Sequence, residues 1–146
     1  MTHELRRPAS NVEWAAYHEI RRHVLFERRG RGAEYDPRHP DETKPGNHPL
    51  LLLHAGVPLG VIRIDIDGER AIFRRVAIRE DAQRRGHGRA MLEAAEAFAR
   101  GQGCVRVESH VDAGAVPFYL RCGFHPAEPA PTSGGQTVFM TKRLDG

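Results

Sequence analysis

The sequence predicts a single domain, residues 1–146, of the mixed α/β (α+β) class, with helices on both faces of one sheet. The chain has 146 residues, 40% of them hydrophobic, which suits one hydrophobic core. Apolar residues recur with helical spacing in some segments and with strand patterns in others. Their order is helix, three strands, helix, strand, helix, strand. This order predicts an antiparallel N-terminal meander followed by a parallel pair with a right-handed helical crossover.

The first predicted element is an amphipathic helix over residues 10–30. Ser10 and Glu13 have the spacing of a capping box, in which side-chain oxygens satisfy free backbone amides at the helix start. Apolar side chains follow at four-residue spacing and predict one buried face, formed by Val12, Ala16, Ile20 and Val24. Glycines at positions 30 and 32 then end the helix.

Three predicted strands, residues 50–54, 57–67 and 69–78, form the antiparallel meander. The turns between them are Ala55–Gly56 and Asp67–Gly68, and the second is a dipeptide that favours a two-residue hairpin.

After position 86 the spacing becomes helical again, and it predicts one apolar face formed by Met91, Leu92, Ala95, Phe98 and Ala99. Gly101 and Gly103 end this helix. A strand at 104–110, a short helix at 115–122 and a strand at 137–144 complete the predicted domain. Because a helix separates them, the strands before and after it should pair in parallel.

Composition and charge argue against several classes of protein. No apolar run approaches the roughly 20 residues that span a bilayer, and the polar N-terminus lacks a signal-peptide centre, so we expect a cytoplasmic protein without membrane contact. The net charge of +3 is small, and the arginines concentrate at one turn without interleaved aromatic residues, which argues against nucleic-acid binding.

Cys104 and Cys122 fit reduced packing thiols. The nine histidines show no metal-ligand spacing, so we expect no metal.

The turn at residues 83–89 is the most informative short segment. It connects a predicted strand to a predicted helix, where free backbone amides and the helix dipole attract anions. Gly86 and Gly88 allow close approach, while Arg84, Arg85 and Arg89 add positive charge. The segment lacks the residues of a P-loop or a Rossmann fingerprint. It fits a pyrophosphate site, or alternatively a tight turn with solvated arginines.

Two motifs resemble those of the GNAT superfamily of N-acetyltransferases. Residues 76–92 resemble its acetyl-CoA signature, with Gln83, Gly86 and Gly88 in the marked positions. Residues 112–124 resemble its later motif, through Ala115, Phe118, Tyr119, Gly123 and Phe124. The resemblance covers roughly residues 50–144, and the first helix matches the family only in general character.

The resemblance implies acetyl-CoA as cosubstrate and a strand that bulges and splays beside it. The backbone of this strand would pair with the pantetheine arm, the following turn would hold the pyrophosphate, Gln83 would order that turn, and two later residues would contact the cofactor. The implied cofactor-binding residues are Val76, Ala77, Ile78, Gln83, Arg84, Arg85, Gly86, His87, Gly88, Arg89, Asp112 and Phe118. Arg74 and Arg75 are adjacent although successive strand residues face opposite ways, so a bulge or an anionic partner is required.

The resemblance also implies catalytic roles for an acetyl transfer to a primary amine. Tyr119 occupies the position of the family's general acid, with a packing role as the alternative. The family often has a glutamate base where this sequence has Arg74. Glu108 is the candidate base. The alternatives are His110, which lies on the same predicted strand face, and a chain of water molecules. Glu108 could equally form an ion pair with Arg106 or Arg75.

The acceptor amine is less clearly indicated. Residues 33–49 contain four prolines and predict an irregular loop, which in this family lies near the acceptor. We expect Tyr35, Arg38 and His39 to contribute to acceptor binding. The mixed charge of the loop leaves open whether it binds a cationic amine, an acid such as an amino-acid carboxylate, or no ligand. The carboxylates for the first case are Glu34, Asp36, Asp41 and Glu42, and the cationic residues for the second are Arg38, His39 and Lys44. A small molecule or a peptide would serve as the acceptor, and a homodimer is compatible with the resemblance because dimers are common in the family. A CoA-responsive binding or regulatory module without turnover is the alternative function.

Overall fold

A computed structural model of the protein describes residues 2–127 and 137–144. In chain order the elements are β1 (His3–Arg6), α1 (Asn11–Arg21), β2 (Asn47–His54), β3 (Val57–Asp67), β4 (Arg70–Ile78), α2 (His87–Gly101), β5 (Arg106–Asp112), α3 (Val116–Arg121), β6 (His125–Pro126) and β7 (Thr137–Arg143). Within the described residues the strands form one seven-stranded sheet in the order β1-β2-β3-β4-β5-β7-β6. The predicted mixed α/β class is confirmed.

The sheet begins earlier than the sequence patterns predict. β1 is short and polar and pairs antiparallel with β2 at the sheet edge, where side chains need not be apolar. β2 begins at Asn47, so the last three positions of the predicted loop belong to a strand. The hairpin between β3 and β4 turns at Gly68–Glu69, one residue later than predicted, because Asp67 still pairs with Arg70. β6, also absent from the prediction, has only two residues.

Helix α1 begins where the capping pattern predicts. The Ser10 hydroxyl accepts a hydrogen bond from the Glu13 backbone amide at 3.1 Å. Glu13 accepts one from the Ala9 amide, one residue before the amide that a capping box would use. Beyond α1 the helical path continues through a π-helical turn, Arg22–Phe26, and a short 3₁₀ turn that ends at Gly30. The predicted end of the first helix near this glycine is therefore correct.

The buried face of α1 differs from the predicted one at its first turn. Val12 is 78% exposed, whereas Tyr17 and Ile20 are buried. An α-helix advances about 100° per residue, so each four-residue step drifts about 40° beyond a full turn. Val12 therefore lies about 80° away from Ile20 around the helix axis, and the stripe that contacts the sheet begins only with Trp14 and Tyr17.

The sheet separates two apolar clusters. α2 and α3 cover one face, where Ile62 and Phe73 pack with the apolar face of α2 that the sequence predicts. α1 covers the opposite face, where Tyr17 and Ile20 pack on Leu51. Helices therefore lie on both faces, as predicted. In the part of the chain that the structure describes, no helix is long and apolar enough to cross a membrane.

β4 and β5 pair in parallel, as predicted, but only over their first halves. The pairing ends at Phe73 and Ser109. Beyond these residues β5 continues beside β7, while β4 stays beside β3 as far as Ile78. The two strands therefore diverge, and we call this divergence the fork. The edge of β4 that faces the fork keeps backbone groups without a strand partner among the described residues.

β4 bulges immediately beyond the point where the fork opens. Two of its residues, Arg75 and Val76, lie opposite the single residue Ile62 of β3. Arg75 has a φ of 55°, which is uncommon for a residue other than glycine. Because of the bulge, Arg74 and Arg75 both lie on the α1 side of the sheet, where Arg75 packs over Phe26. The bulge that two adjacent strand arginines require is thus present.

Candidate active site

A cleft of about 1280 Å³ runs along the fork and reaches both faces of the sheet. On one face it is bounded by the turn at residues 83–89 and by α3, and we call this part the amide side. On the other face it is bounded by the charged residues Arg63, Arg74 and Arg75, and we call this part the arginine side. The fork joins the two sides, so groups bound on opposite faces of the sheet can meet there.

The amide side is built on the turn before α2. The Gln83 side chain donates a 2.9 Å hydrogen bond to the Ile78 backbone carbonyl, which fixes the turn to the end of β4. Arg84 has a φ of 65° and Gly86 a φ of 86°, and Gly86 is the N-cap residue of α2, where it provides no side-chain cap. Left-handed backbone is costly for most residues but not for glycine. The first amides of α2 therefore remain available to an anion.

Gly88 is needed for packing as well as for ligand access. A Cβ at this position would lie 3.2 Å from Cζ of Phe118, and 3.8 Å from Cγ1 of Ile78. α3 therefore approaches the start of α2 closely through the Phe118 ring. This contact connects the two motifs on which the family resemblance rests, because one carries Gly88 and the other carries Phe118.

Most of the predicted cofactor-binding residues line this cleft. They are Val76, Ala77, Ile78, Gln83, Arg84, Gly86, Gly88, Arg89, Asp112 and Phe118. Asp112 is also engaged in an ion pair with Arg29, from the 3₁₀ turn after α1. Arg85 and His87 do not line the cleft. The His87 ring instead lies 2.9 Å from that of His3, which stacks on His54.

Tyr119 lies where the fork opens. It lines the cleft although it is only 6% exposed. Burial raises the pKa of its hydroxyl to about 12, against the opposing effect of a hydrogen bond with the Ser109 side chain. Ser109 itself donates to the backbone carbonyl of Phe73 at 3.1 Å. The Tyr119 hydroxyl therefore keeps its proton at neutral pH and is held beside the last paired residues of β4 and β5.

Glu108 does not reach the cleft. Its Oε1 accepts from Arg70 at 2.9 Å and its Oε2 from Arg106 at 3.0 Å, and its side chain is buried. Of the ion-pair partners expected from the sequence, Arg106 is present and Arg75 is not. Both carboxylate oxygens are engaged by guanidinium groups and lie outside the cleft, so neither is placed to contact an amine bound there. This placement argues against the predicted role of Glu108 as general base.

His110 is two residues further along β5 and does line the cleft. Its neighbours Ser109 and Val111 are buried, and Val111 belongs to the cluster under α2, so His110 faces the α1 side. Burial, and then the positive charge of Arg74, lower the pKa of the imidazole below its usual 6.5. Its Nδ1 is buried and has no hydrogen-bond partner among the described residues. The ring is therefore neutral at pH 7 and can accept a proton.

The charges of the arginine side are unevenly paired. The two oxygens of Asp65 accept from Arg63 at 2.8 and 3.0 Å, and one of them also accepts from Arg74 at 2.9 Å. Arg75 forms no ion pair within residues 2–127 and 137–144, and its guanidinium lies 5.3 Å from the Phe26 ring centroid. The sequence marks the adjacent Arg74 and Arg75 but not their grouping with Arg63 and Phe26, because β3, β4 and the turn after α1 meet only in the folded chain.

The predicted acceptor-binding residues of the loop lie outside the cleft. Tyr35 packs against His18 and Phe26, while Arg38 and His39 are exposed. The loop is anchored instead by buried Glu42, which accepts hydrogen bonds from Arg21 and Tyr17 of α1. The loop residues that do line the cleft are Asp41, Lys44 and Pro45. Nothing in the sequence distinguishes them from the neighbouring charged and proline residues.

Comparison with known proteins agrees with this geometry. Residues 13–124 match the acetyltransferase (GNAT) family. A Bacillus subtilis (strain 168) protein named as an unconfirmed acetyltransferase is 29% identical over an alignment of 133 residues, and the match covers 87% of each chain. The crystal structure of an unconfirmed N-acetyltransferase from Lactobacillus plantarum is also 29% identical, covers 99% of both chains and has a TM-score of 0.78. The chain belongs to the GNAT acetyltransferase family.

More distant relatives share the fold. The PaiA N-acetyltransferase of Thermoplasma acidophilum, solved in complex with coenzyme A, is 16% identical and has a TM-score of 0.75. The match covers 98% of this chain and 99% of the other. The family match confirms the predicted family, and the structural similarity confirms the predicted fold.

Proposed function

We propose that the protein transfers the acetyl group of acetyl-CoA to the primary amine of a small molecule or a peptide. The observation that carries this proposal is the cleft through the fork, which joins free helix amides on one face of the sheet to a neutral histidine on the other. The coenzyme A complex of the Thermoplasma relative supports a CoA ligand for this fold.

The amide side would bind the cofactor. The pyrophosphate would accept hydrogen bonds from the backbone amides that begin α2, with Arg84 and Arg89 adding charge from the cleft wall. The pantetheine arm would pair with the backbone of β4 beyond Phe73, whose edge lacks a strand partner in the described chain. The thioester would then lie in the fork beside Tyr119.

The transfer needs a neutral amine, a polarised carbonyl and a proton for the thiolate. The amine nitrogen attacks the thioester carbon and His110 accepts the proton that the nitrogen loses. A backbone amide of the bulge, near Val76, donates to the carbonyl oxygen as charge develops there. The carbon–sulfur bond then breaks and Tyr119 protonates the departing thiolate. Acid and base thus act from opposite faces of the sheet.

A binding module without turnover is the second candidate. Arg74 occupies the position of the glutamate that family members often use as base, and it is held by Asp65. If neither His110 nor a water chain removes the proton of the amine, the cleft would bind acetyl-CoA and transfer nothing.

Thiol release distinguishes the two functions. Acetyl-CoA is incubated with the protein and a panel of amines that includes polyamines, amino acids, aminosugars and short peptides, and free CoA is measured against a control without amine. The proposed function predicts release with at least one amine and an N-acetyl product by mass spectrometry. Calorimetric binding of acetyl-CoA without release on any amine would contradict the proposed function and favour the module.

A further inference from the structure

Arg75 is a charged residue in the cleft whose charge the protein does not neutralise. The structure describes no ion pair for it, while most arginines around it have an acidic partner. Those neighbours are Arg21 with Glu42, Arg31 with Glu34, and Arg63 and Arg74 with Asp65. A guanidinium group that lines a cleft and has no carboxylate partner can donate hydrogen bonds to a ligand.

The backbone directs Arg75 into this position. Its φ of 55° at the bulge is strained for a residue with a Cβ, and such strain persists only when the surrounding structure enforces it. In a regular strand Arg75 would face the apolar cluster under α2, opposite to Arg74. The bulge places it on the arginine side, and the Phe26 ring stacks against its guanidinium.

The surrounding charges favour an anionic ligand. Arg63 and Arg74 share the carboxylate of Asp65, and Arg75 lines the same side of the cleft without an ion-pair partner among the described residues. Burial and the nearby Arg21 and Arg63 lower the pKa of Arg75, against the opposing charge of Glu42. The loop adds one residue of each sign to the cleft wall, Asp41 and Lys44. The carboxylate of a bound ligand would compensate the positive charge of Arg75.

We propose that the acceptor is an amine that also carries a carboxylate, and that Arg75 binds this carboxylate. The inference rests on the proposed function and narrows its acceptor to amino acids and related amino carboxylic acids. Arginine binds a planar carboxylate through two parallel hydrogen bonds, which orients the ligand as well as attracting it. Arg75 and His110 face the same side of the sheet, so an acceptor anchored at Arg75 presents its amine towards the base.

The binding experiment does not need turnover. N-acetyl-L-amino acids and their amides, matched pairs that differ in the carboxylate, are titrated calorimetrically into the protein saturated with CoA. Acidic, basic, aromatic and small side chains are represented in the set. The parent protein should bind at least one acid about 10- to 100-fold more tightly than its amide, the range expected for hydrogen bonds to a charged group.

Two substitutions at Arg75 and one elsewhere test the assignment. Arg75→Gln should abolish the preference for the acid and leave amide binding unchanged, while Arg75→Lys should keep part of it. Arg22→Gln is the control, because Arg22 is a partly exposed arginine outside the cleft, and it should keep the full preference. Equal binding of acid and amide by the parent, or an Arg75→Gln protein that still prefers the acid, overturns the proposal.

Thiol release with the same acids and amides, in their unacetylated form, separates this inference from the proposed function. If acids bind preferentially but no amine releases thiol, the proposed function fails and the carboxylate site stands. If amines without a carboxylate are acetylated as fast as amino acids, and Arg75→Gln slows neither class, the function stands and the carboxylate site is wrong. Thermal unfolding of each variant shows whether the substitutions leave the fold intact.

Discussion

The amide side and the arginine side of the cleft are built in different ways. The amide side comes largely from one contiguous segment, the end of β4 and the turn into α2, and it offers backbone amides. The arginine side brings together residues of β3, β4, β5 and the turn after α1, and it offers charged side chains. A backbone site suits a ligand common to a family, whereas a side-chain site can differ in each member. The cofactor and the acceptor fit these two sides respectively.

The largest expected effect is at the base. His110→Gln removes the proton acceptor and should lower kcat about 100- to 1000-fold, within the range of general base catalysis. Glu108→Gln, on the same strand face, should keep kcat within about threefold of the parent, since Glu108 lies outside the cleft. Steady-state kinetics at saturating acetyl-CoA measure both. Equal losses of kcat in His110→Gln and Glu108→Gln would contradict the assignment of the base to His110 rather than Glu108.

The pH profile sharpens this prediction. The pKa of His110 is below 6.5, and its neutral form is the base, so kcat should fall as the pH drops through that pKa. Arg74→Gln removes a positive charge that opposes protonation, so the pKa should rise and the acidic limb should move to higher pH. Stopped assays between about pH 5 and 9 follow the limb. If the acidic limb of the kcat profile keeps its position in both Arg74→Gln and His110→Gln, it reports the titration of a group other than His110.

Tyr119→Phe should have the next largest effect. The ring packing is kept and the proton donor is lost, so kcat should fall about 100-fold while the Kd for acetyl-CoA is unchanged. A thiolate is already a fair leaving group, which puts the loss at the low end of the usual range. Tyr17→Phe removes another buried hydroxyl, bonded to Glu42 outside the cleft, and should lower the melting temperature more than kcat. An unchanged kcat in Tyr119→Phe would show that Tyr119 has a packing role and no catalytic one.

Gly88→Ala tests the contact between the two sequence motifs. Its Cβ would lie 3.2 Å from Phe118, so the ring must shift, and the Kd for acetyl-CoA should rise about 10-fold. Gly101→Ala is the control, because a Cβ there meets no atom within 4 Å and alanine is the better helix former. Calorimetry on both variants measures the difference. Equal affinities would show that the Phe118 contact is irrelevant to binding.

The smallest expected effect is that of the arginines beside the turn. Arg84→Gln and Arg89→Gln combined should weaken acetyl-CoA binding a few-fold and flatten its dependence on salt, because screened charge contacts are removed while the amides remain. Arg28→Gln, a change at an exposed arginine outside the cleft, should keep the parental salt dependence. If the parent and both variant proteins show the same salt dependence, the pyrophosphate is bound by backbone amides alone.

The contrast between the two sides also explains what the sequence could predict. Gly86, Gly88 and Gln83 act through the local backbone, so their spacing is enough to locate the amide side. The bulge could be inferred because two adjacent strand arginines cannot both be accommodated in a regular strand. The arginine side depends on contacts between distant segments, such as that of Arg75 with Phe26, and the loop residues Arg38 and His39 gave no sign that they lie outside it.

Calorimetric titration of acetyl-CoA into Gly88→Val and Arg75→Gln tests the separation of the two sides most directly. Gly88 lies on the amide side, so its substitution should weaken acetyl-CoA binding by 10-fold or more, given the contact of 3.2 Å that even the first added carbon would make. Arg75 lies on the arginine side, so its substitution should leave the acetyl-CoA Kd within about twofold of the parent. A comparable loss of acetyl-CoA affinity in Arg75→Gln would contradict the account, because both sides would then bind the cofactor.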